Sequence, residues 1–351
     1  MPVAVITGIA GQDASYLCRL LLSKGYQVFG TVRAGGGTEY WRLRELGIAD
    51  HPELHIVECD VTDQAQVTQL IETARPAEVY NLVAQSTIGA SLAEPAVAAQ
   101  VTGIGVLNLL EAIRLVDPSV KFFQASSAEM FGRASGAPLT EDSAFNPRTP
   151  YAVAKLFAHW LTITYRDNYG IFGCCGILFN HESPLRGRVF VTRKISEAFA
   201  RIRLGQQEVL ELGNIDALRD WGFAAEYVEA MWLMLQAESA DNYVLATNRV
   251  TSVREFVTQC ALAAGYDLQW RGAAAEETAT DRQTGRTLVR ISPQYYRATE
   301  IESRMGNPAK AASKLGWIPR TTIRELCKMM VEADLRRNAP ADHPDSLPSA
   351  V

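Results

Sequence analysis

Five near-continuous apolar runs, VAVITG, QVFGTVR, LHIVECDV, EVYNLVA and VKFFQASS, alternate with stretches whose apolar positions recur at helical spacing, such as SYLCRLLLSKG, DQAQVTQLIETA and VLNLLEAIRLV. Strands that lack polar alternation are buried on both faces, so the pattern predicts a parallel sheet covered by helices on both sides. The expected fold class is α/β, a doubly wound parallel sheet. A helix, PYAVAKLFAHWLTITYRDNYG, and a strand, FGCCGILF, continue the pattern. It changes at NHESPLRGRVFVTRK into helices and short strands without strict alternation, as in a smaller lobe. The run EYVEAMWLML has helical apolar spacing, so its Trp and Met residues are read as core, as are Trp221 and Trp317.

Composition narrows the function classes. The chain has 351 residues, 48% of them hydrophobic, enough for a large core. Its 34 basic and 39 acidic residues are spread along the sequence with a net charge of -5, which argues against a nucleic-acid surface and requires any anionic ligand to be met locally. The N-terminal MPVAVITGIAG has no basic segment before its apolar run, and polar residues interrupt that run before a membrane span is complete. A cytoplasmic location and no membrane partner are expected. Six cysteines, none in a Cys-x-x-Cys pair, read as small buried hydrophobes in a reducing compartment, with no metal site.

The first strand runs into TGIAGQDASYL, giving Gly8-x-x-Gly11-x-x-Ala14 at a strand-to-helix turn. Glycines there let backbone approach a pyrophosphate, whose charge the helix N-terminus meets. The second strand ends at Val32-Arg33, and Arg33 is either a partner for a ribose 2′-phosphate or a solvated surface arginine. After the third strand, Cys59-Asp60-Val61 offers a carboxylate that either accepts from an adenine amino group or caps a turn. The expected Rossmann domain covers residues 1–179 and receives 213–247. A nucleotide-sugar lobe takes 180–212 and 248–337, and the Pro-, Ala- and Asp-rich tail 338–351 is expected to be disordered.

Tyr151 and Lys155, four apart in TPYAVAKLF, share a helix face, with Thr149 as N-cap and Pro150 as first helical residue. A nearby ammonium stabilises a phenolate and lowers the tyrosine pKa toward the working range. About 25 residues upstream, QASSAEMFG carries Ser127 and Glu129 around Ala128.

In these residues the chain resembles an extended short-chain dehydrogenase/reductase, and specifically the GDP-mannose 4,6-dehydratases. The similarity runs from residue 3 to about 335 through GQDxSYL, WRLRELGI, EVYNLVAQS, LFNHESPLRG, VFVTRK, GNIDALRDWG and NPAKAASKLGW. The resemblance implies that Tyr151 takes the proton from the sugar 4-hydroxyl while Ser127 and Lys155 align and polarise. Glu129 is then the base for the C5 proton, water leaves from C6, and hydride returns there. It implies NADP, with NAD as the alternative, at Gly8, Gly11, Gln12, Asp13, Arg33, Asp60, Val61, Leu82, Ala84, Ser86, Tyr151, Lys155, Leu178, His181 and Arg186. It implies a GDP-sugar at Ser86, Asn180, Val191, Lys194, Asn214, Arg219, Arg297 and Glu300, and a homodimer or homotetramer.

Several positions depart from the family pattern. RAGGGTEYW follows Val32 where the family has paired arginines and serines, leaving Arg33 and Arg42 to meet a 2′-phosphate. Leu218 replaces a lysine. Ser127-Ala128-Glu129 replaces Thr-Ser-Glu, removing a hydroxyl that could carry a proton to the departing C6 oxygen. A 4-epimerase of the same scaffold would need no such hydroxyl and is the alternative activity; a non-catalytic sensor of dinucleotide or GDP-sugar is the third class.

Overall fold

In the computed structural model, residues 1–35, 40–133, 138–294 and 304–340 are described. They form two compact units: Met1–Phe179 with Ala224–Thr247 and Gly306–Ile318, and Asn180–Phe223 with Asn248–Met305 and Pro319–Val351. This corrects the expected division at two places. Residues 213–223 belong to the second unit, where Trp221–Phe223 pairs with Asn180–Glu182, and 306–318 return to the first. There Gly306 fits a space in which a Cβ would stand 2.3 Å from Ala246 and 2.7 Å from Phe179. The last helix, Ile323–Asn338, reaches the start of the expected tail, and residues 341–351 lie outside the described residues.

The first unit holds a seven-stranded parallel sheet. Its strands are β1 (Val3–Thr7), β2 (Gln27–Val32), β3 (Leu54–Glu58), β4 (Glu78–Asn81), β5 (Lys121–Ser127) and β6 (Gly173–Leu178), with Asn242–Leu245 at one edge. The order is Asn242–Leu245, β6, β5, β4, β1, β2, β3, so the strand order reverses beside β1, where doubly wound sheets bind ligands beyond the carboxyl ends. Phe122 and Phe123 are fully buried on opposite sides of β5, each stabilising by roughly 1.5–3 kcal/mol. Their side chains account for the unbroken apolar run in the sequence.

Among the described residues, the helical run Pro95–Val116 is long and apolar enough to cross a membrane, with mean hydropathy 1.6. Val106, Leu109, Leu110 and Ile113 on it are buried and pack into the core under β1, β4 and β5. It is a core helix. All six cysteines are buried and free, and no cluster of metal-ligating side chains occurs among the described residues.

The second unit packs helices Val191–Arg203, Val253–Ala263 and Ile323–Asn338 on a four-stranded sheet ordered Leu268–Arg271, Thr278–Asp281, Thr287–Ile291, Leu210–Leu212. One buried ion pair fixes a loop in it. Arg193 meets Asp334 through Nε (2.9 Å) and Nη2 (2.5 Å) and donates from Nη1 to the carbonyls of Pro184 and Arg186. Ser196 and Arg337 also donate to Asp334, so this carboxylate, fully buried, is satisfied from three sides.

Candidate active site

The site in the first unit begins where β1 ends. Gly8 adopts φ +72, a conformation glycine takes without a Cβ penalty, and a Cβ there would stand 3.3 Å from the Val83 backbone. The Gly11 amide closes the turn on the Gly8 carbonyl at 2.9 Å. Gly11 then caps helix Gln12–Ser23 with no side chain, and the positive end of a helix dipole at such a turn favours an anion. Gly30 lets β2 approach the same turn, since a Cβ there would meet Ile9 at 2.5 Å.

Beside the turn lies a cavity of about 380 Å³ walled by Gly8, Arg33, Asp60, Val61 and Ala84, together with Thr31, Gln85 and Glu94. The last three were missed in the sequence, although EVYNLVAQS points to Gln85. The Gln85 Oε1 is buried without a hydrogen-bond partner, an acceptor that suits a donor from a ligand. A helix N-terminus with no side-chain cap, a glycine-lined wall and an orphaned amide oxygen fit a dinucleotide.

Gln12 is buried and donates to Asp13 at 2.9 Å. Asp60 is used in a turn: its Oδ1 accepts the Thr62 amide (2.9 Å) and hydroxyl (2.8 Å), while Asp63 caps the next helix. Leu82 is held by its amide, which donates to Thr7 Oγ1 at 3.0 Å. Ser86 is exposed and Leu178 closes β6. Arg33 is exposed at the cavity rim. Arg42 takes a different position from that expected: its guanidinium donates to the Ala10 carbonyl at 2.7 Å and stacks on Trp41, bracing the glycine turn.

The second constellation joins the end of β5 to helix Pro150–Tyr169. Thr149 caps that helix by accepting the Ala152 amide at 3.1 Å, with Pro150 opening it, so Tyr151 and Lys155 stand in its first turns. The Lys155 ammonium is 3% exposed, donates to the Ala125 carbonyl at 2.7 Å, and lies 5.8 Å from the Tyr151 ring centre. Burial pushes its pKa down to about 8, partly offset by the Asp13 carboxylate. Ser127 ends β5 and caps the short turn Ala128–Phe131, its Oγ accepting the Glu129 amide at 3.2 Å. The hydroxyl hydrogen is left for another acceptor. Glu129 is half-buried.

Ala128, beside Glu129, is buried in an apolar cluster with Met130, Phe131, Leu139, Ile177, Phe179 and Val244.

In the second unit, Asn180 lies in the strand Asn180–Glu182 and His181 is buried. Glu182 accepts the Thr192 hydroxyl (2.6 Å) and forms an ion pair with Arg186 (2.9 Å), whose guanidinium stacks 3.6 Å from the Phe190 ring centre. Val191 and Lys194 are exposed on the first turn of helix Val191–Arg203. Asn214 accepts the Asp216 amide, and Arg219, in Leu218–Arg219, donates to the Leu218 carbonyl. Arg297 and Glu300 lie outside the described residues.

A family model described as GDP-mannose 4,6 dehydratase matches residues 5–330. The chain belongs to the GDP-mannose 4,6-dehydratase family. It is 43% identical to the GDP-mannose 4,6-dehydratase of Yersinia enterocolitica, covering 96% of this chain and 95% of that one. It is 47% identical to GDP-mannose 4,6 dehydratase 2 of Caenorhabditis elegans, covering 95% and 89%. Among solved structures, RMD from Pseudomonas aeruginosa complexed with NADPH superposes with a TM-score of 0.76 at 22% identity, over 96% of this chain and all of that one. Like other GDP-mannose 4,6-dehydratases, the chain is an extended short-chain dehydrogenase/reductase, with a parallel sheet and a C-terminal α/β lobe.

Proposed function

We propose that this protein is a GDP-hexose 4,6-dehydratase of the cytoplasm, converting GDP-mannose to its 4-keto-6-deoxy derivative with bound NADP. The observation that carries this reading is the pairing, in one unit of a chain from this family, of the Tyr151–Lys155 helix face with a Ser127-capped turn bearing Glu129. A nicotinamide held at the Gly8–Gly11 turn would supply a hydride acceptor for C4 and a donor for C6, with no net redox. Tyr151 removes the O4 proton, and the Lys155 ammonium stabilises the phenolate. Ser127 donates its hydroxyl hydrogen to O4. The resulting ketone acidifies C5, and Glu129 takes that proton. As Ala128 has no hydroxyl, Glu129 then gives the same proton to the C6 oxygen as it leaves, acting as base and acid in turn, and a solvent-exchanged proton returns to C5 as C6 is reduced, balancing the one Tyr151 took from O4.

Arg33, at the cavity rim, is the cation for a 2′-phosphate, since Arg42 is committed to Ala10. In the second unit Asn180, Val191, Lys194, Asn214 and Arg219, with Arg297 and Glu300, meet the GDP moiety, its diphosphate by charge and its ribose by hydrogen bonding. The test is incubation with GDP-mannose in D2O. The expected product is lighter by one water and deuterated at C5, and mass spectrometry of denatured protein releases NADP. A product of unchanged mass sinks the reading and points to 4-epimerisation.

A second copy of the chain completes the assembly. Val153, Phe157 and Trp160 recur at helical spacing on Pro150–Tyr169 and are exposed, as are Val97 and Ile104 on Pro95–Val116. An apolar groove of about 740 Å³ lies between the two helices. An exposed two-helix apolar face is suited to isologous pairing with its own copy. Light scattering is expected to give a dimer or tetramer that Phe157→Glu splits; an unchanged mass for that variant refutes the assignment.

A further inference from the structure

A buried chain of hydrogen bonds runs from the dinucleotide turn to the catalytic lysine. Thr7, the residue before Gly8, donates from Oγ1 to Asn81 Oδ1 at 2.7 Å, and the same oxygen accepts the amides of Leu82 (3.0 Å) and Val83 (3.1 Å). Asn81 Nδ2 donates to Gln124 Oε1 at 2.8 Å. Gln124 Nε2 donates to the Ala125 carbonyl at 3.0 Å, and this is the oxygen that Lys155 Nζ meets at 2.7 Å. Thr7, Asn81, Gln124 and Lys155 are all at most 3% exposed.

The place of Ala125 in the sheet explains why its carbonyl needs such a partner. The pairing of β4 with β5 ends at Asn81 and Gln124, so Ala125 has left that ladder while its neighbour β6 still pairs with it. A peptide paired on one side alone can tilt more than one held on both, and an ammonium hydrogen-bonded to it would move with it. A second donor, itself anchored two strands away, removes that freedom. We propose that Gln124 is a positioning residue for the dehydration: it fixes the Ala125 carbonyl, and with it the Lys155 ammonium beside Tyr151.

The inference rests on the dehydratase reading and has its own test. The variants are Gln124→Met, which keeps length and loses both hydrogen bonds, and Gln124→Glu, which can donate to the Ala125 carbonyl only when its carboxyl is protonated. The control is Tyr80→Phe, which breaks a buried 2.8 Å bond to Glu78 at the opposite end of β4. Other ionisable groups around Gln124 and Lys155 are Asp13, Glu129, Tyr151, His159 and Cys175. Burial pushes His159 down to about 4 and Cys175 up to about 12, so neither titrates near neutrality.

Turnover of GDP-mannose by the unsubstituted enzyme tests the dehydratase reading alone. Relative to it, Gln124→Met is expected to lose kcat on the order of 10- to 100-fold, with KM within about twofold. Gln124→Glu is expected to recover toward unsubstituted kcat as pH falls. Tyr80→Phe is expected to lose a similar amount of thermal stability and keep its kcat. Carbon-detected NMR of labelled lysine in the cofactor-free protein follows Lys155 without turnover, and its titration is expected to move in both Gln124 variants and not in Tyr80→Phe. The proposal is overturned if the Lys155 titration is the same in all three, or if Gln124→Met keeps kcat.

Discussion

Glu129→Gln is expected to lower GDP-mannose dehydration by about 10²–10⁴-fold, the range for losing a positioned acid–base group. The amide keeps the size of the side chain, and the backbone amide of residue 129 still donates to Ser127, so the turn should be retained. What disappears is the acceptor for the C5 proton and the acid for the C6 oxygen. In the proposed mechanism both roles fall to this residue, since the methyl group of Ala128 cannot carry a proton. The first half of the cycle does not need the carboxylate. A 4-ketone of the intact hexose, lighter than substrate by one hydrogen molecule, should therefore be found by mass spectrometry of the denatured complex. Full turnover by Glu129→Gln would remove elimination as the reaction and favour the epimerase.

Lys155→Met is expected to abolish turnover and to stabilise the protein near neutral pH. An ordinary lysine holds its proton to 10.5, whereas Lys155 in the folded chain holds it only to about 8. Between those values the unfolded chain binds more protons, so stability rises with pH across that window, and below about 8 the full penalty of burying the charge is present. A fall of that size corresponds to roughly 3 kcal/mol, from which the lost bond to the Ala125 carbonyl subtracts about 1 kcal/mol. Thermal melts should therefore place the variant above the unsubstituted protein at pH 7 and bring the two together as pH approaches 10. A variant less stable than its parent at both pH values would show that the ammonium is not held under strain.

Much of the first unit was legible because its strands are apolar without interruption and its helices carry their caps in sequence. Thr149 and Pro150 stand before Tyr151 as the chain order indicates. The second unit was less legible, since strands of two to four residues such as Leu218–Arg219 and Leu210–Leu212 have no period to read. Its boundary was missed at Gly306, whose need for a missing Cβ arises from Phe179 and Ala246, both far away in sequence. The same holds for charge. Arg42 looks like a phosphate ligand until the Ala10 carbonyl is found beside it, and Arg193 in VTRK cannot be told from its neighbour Lys194 without Asp334. The burial of Ala128 in one cluster with Phe179 and Val244 is likewise not written in the local pattern.

The ion pair between Arg193 and Asp334 has a meaning for biogenesis. The loop at Pro184 and Arg186 is emitted from the ribosome near the middle of synthesis, but the carboxylate that completes the Arg193 clamp arrives only with the final helix. The first unit waits as well, for the Gly306–Ile318 segment. Neither unit is complete in order of translation, so a chain stopped before residue 306 carries Tyr151 and Lys155 without the segments that close the two units.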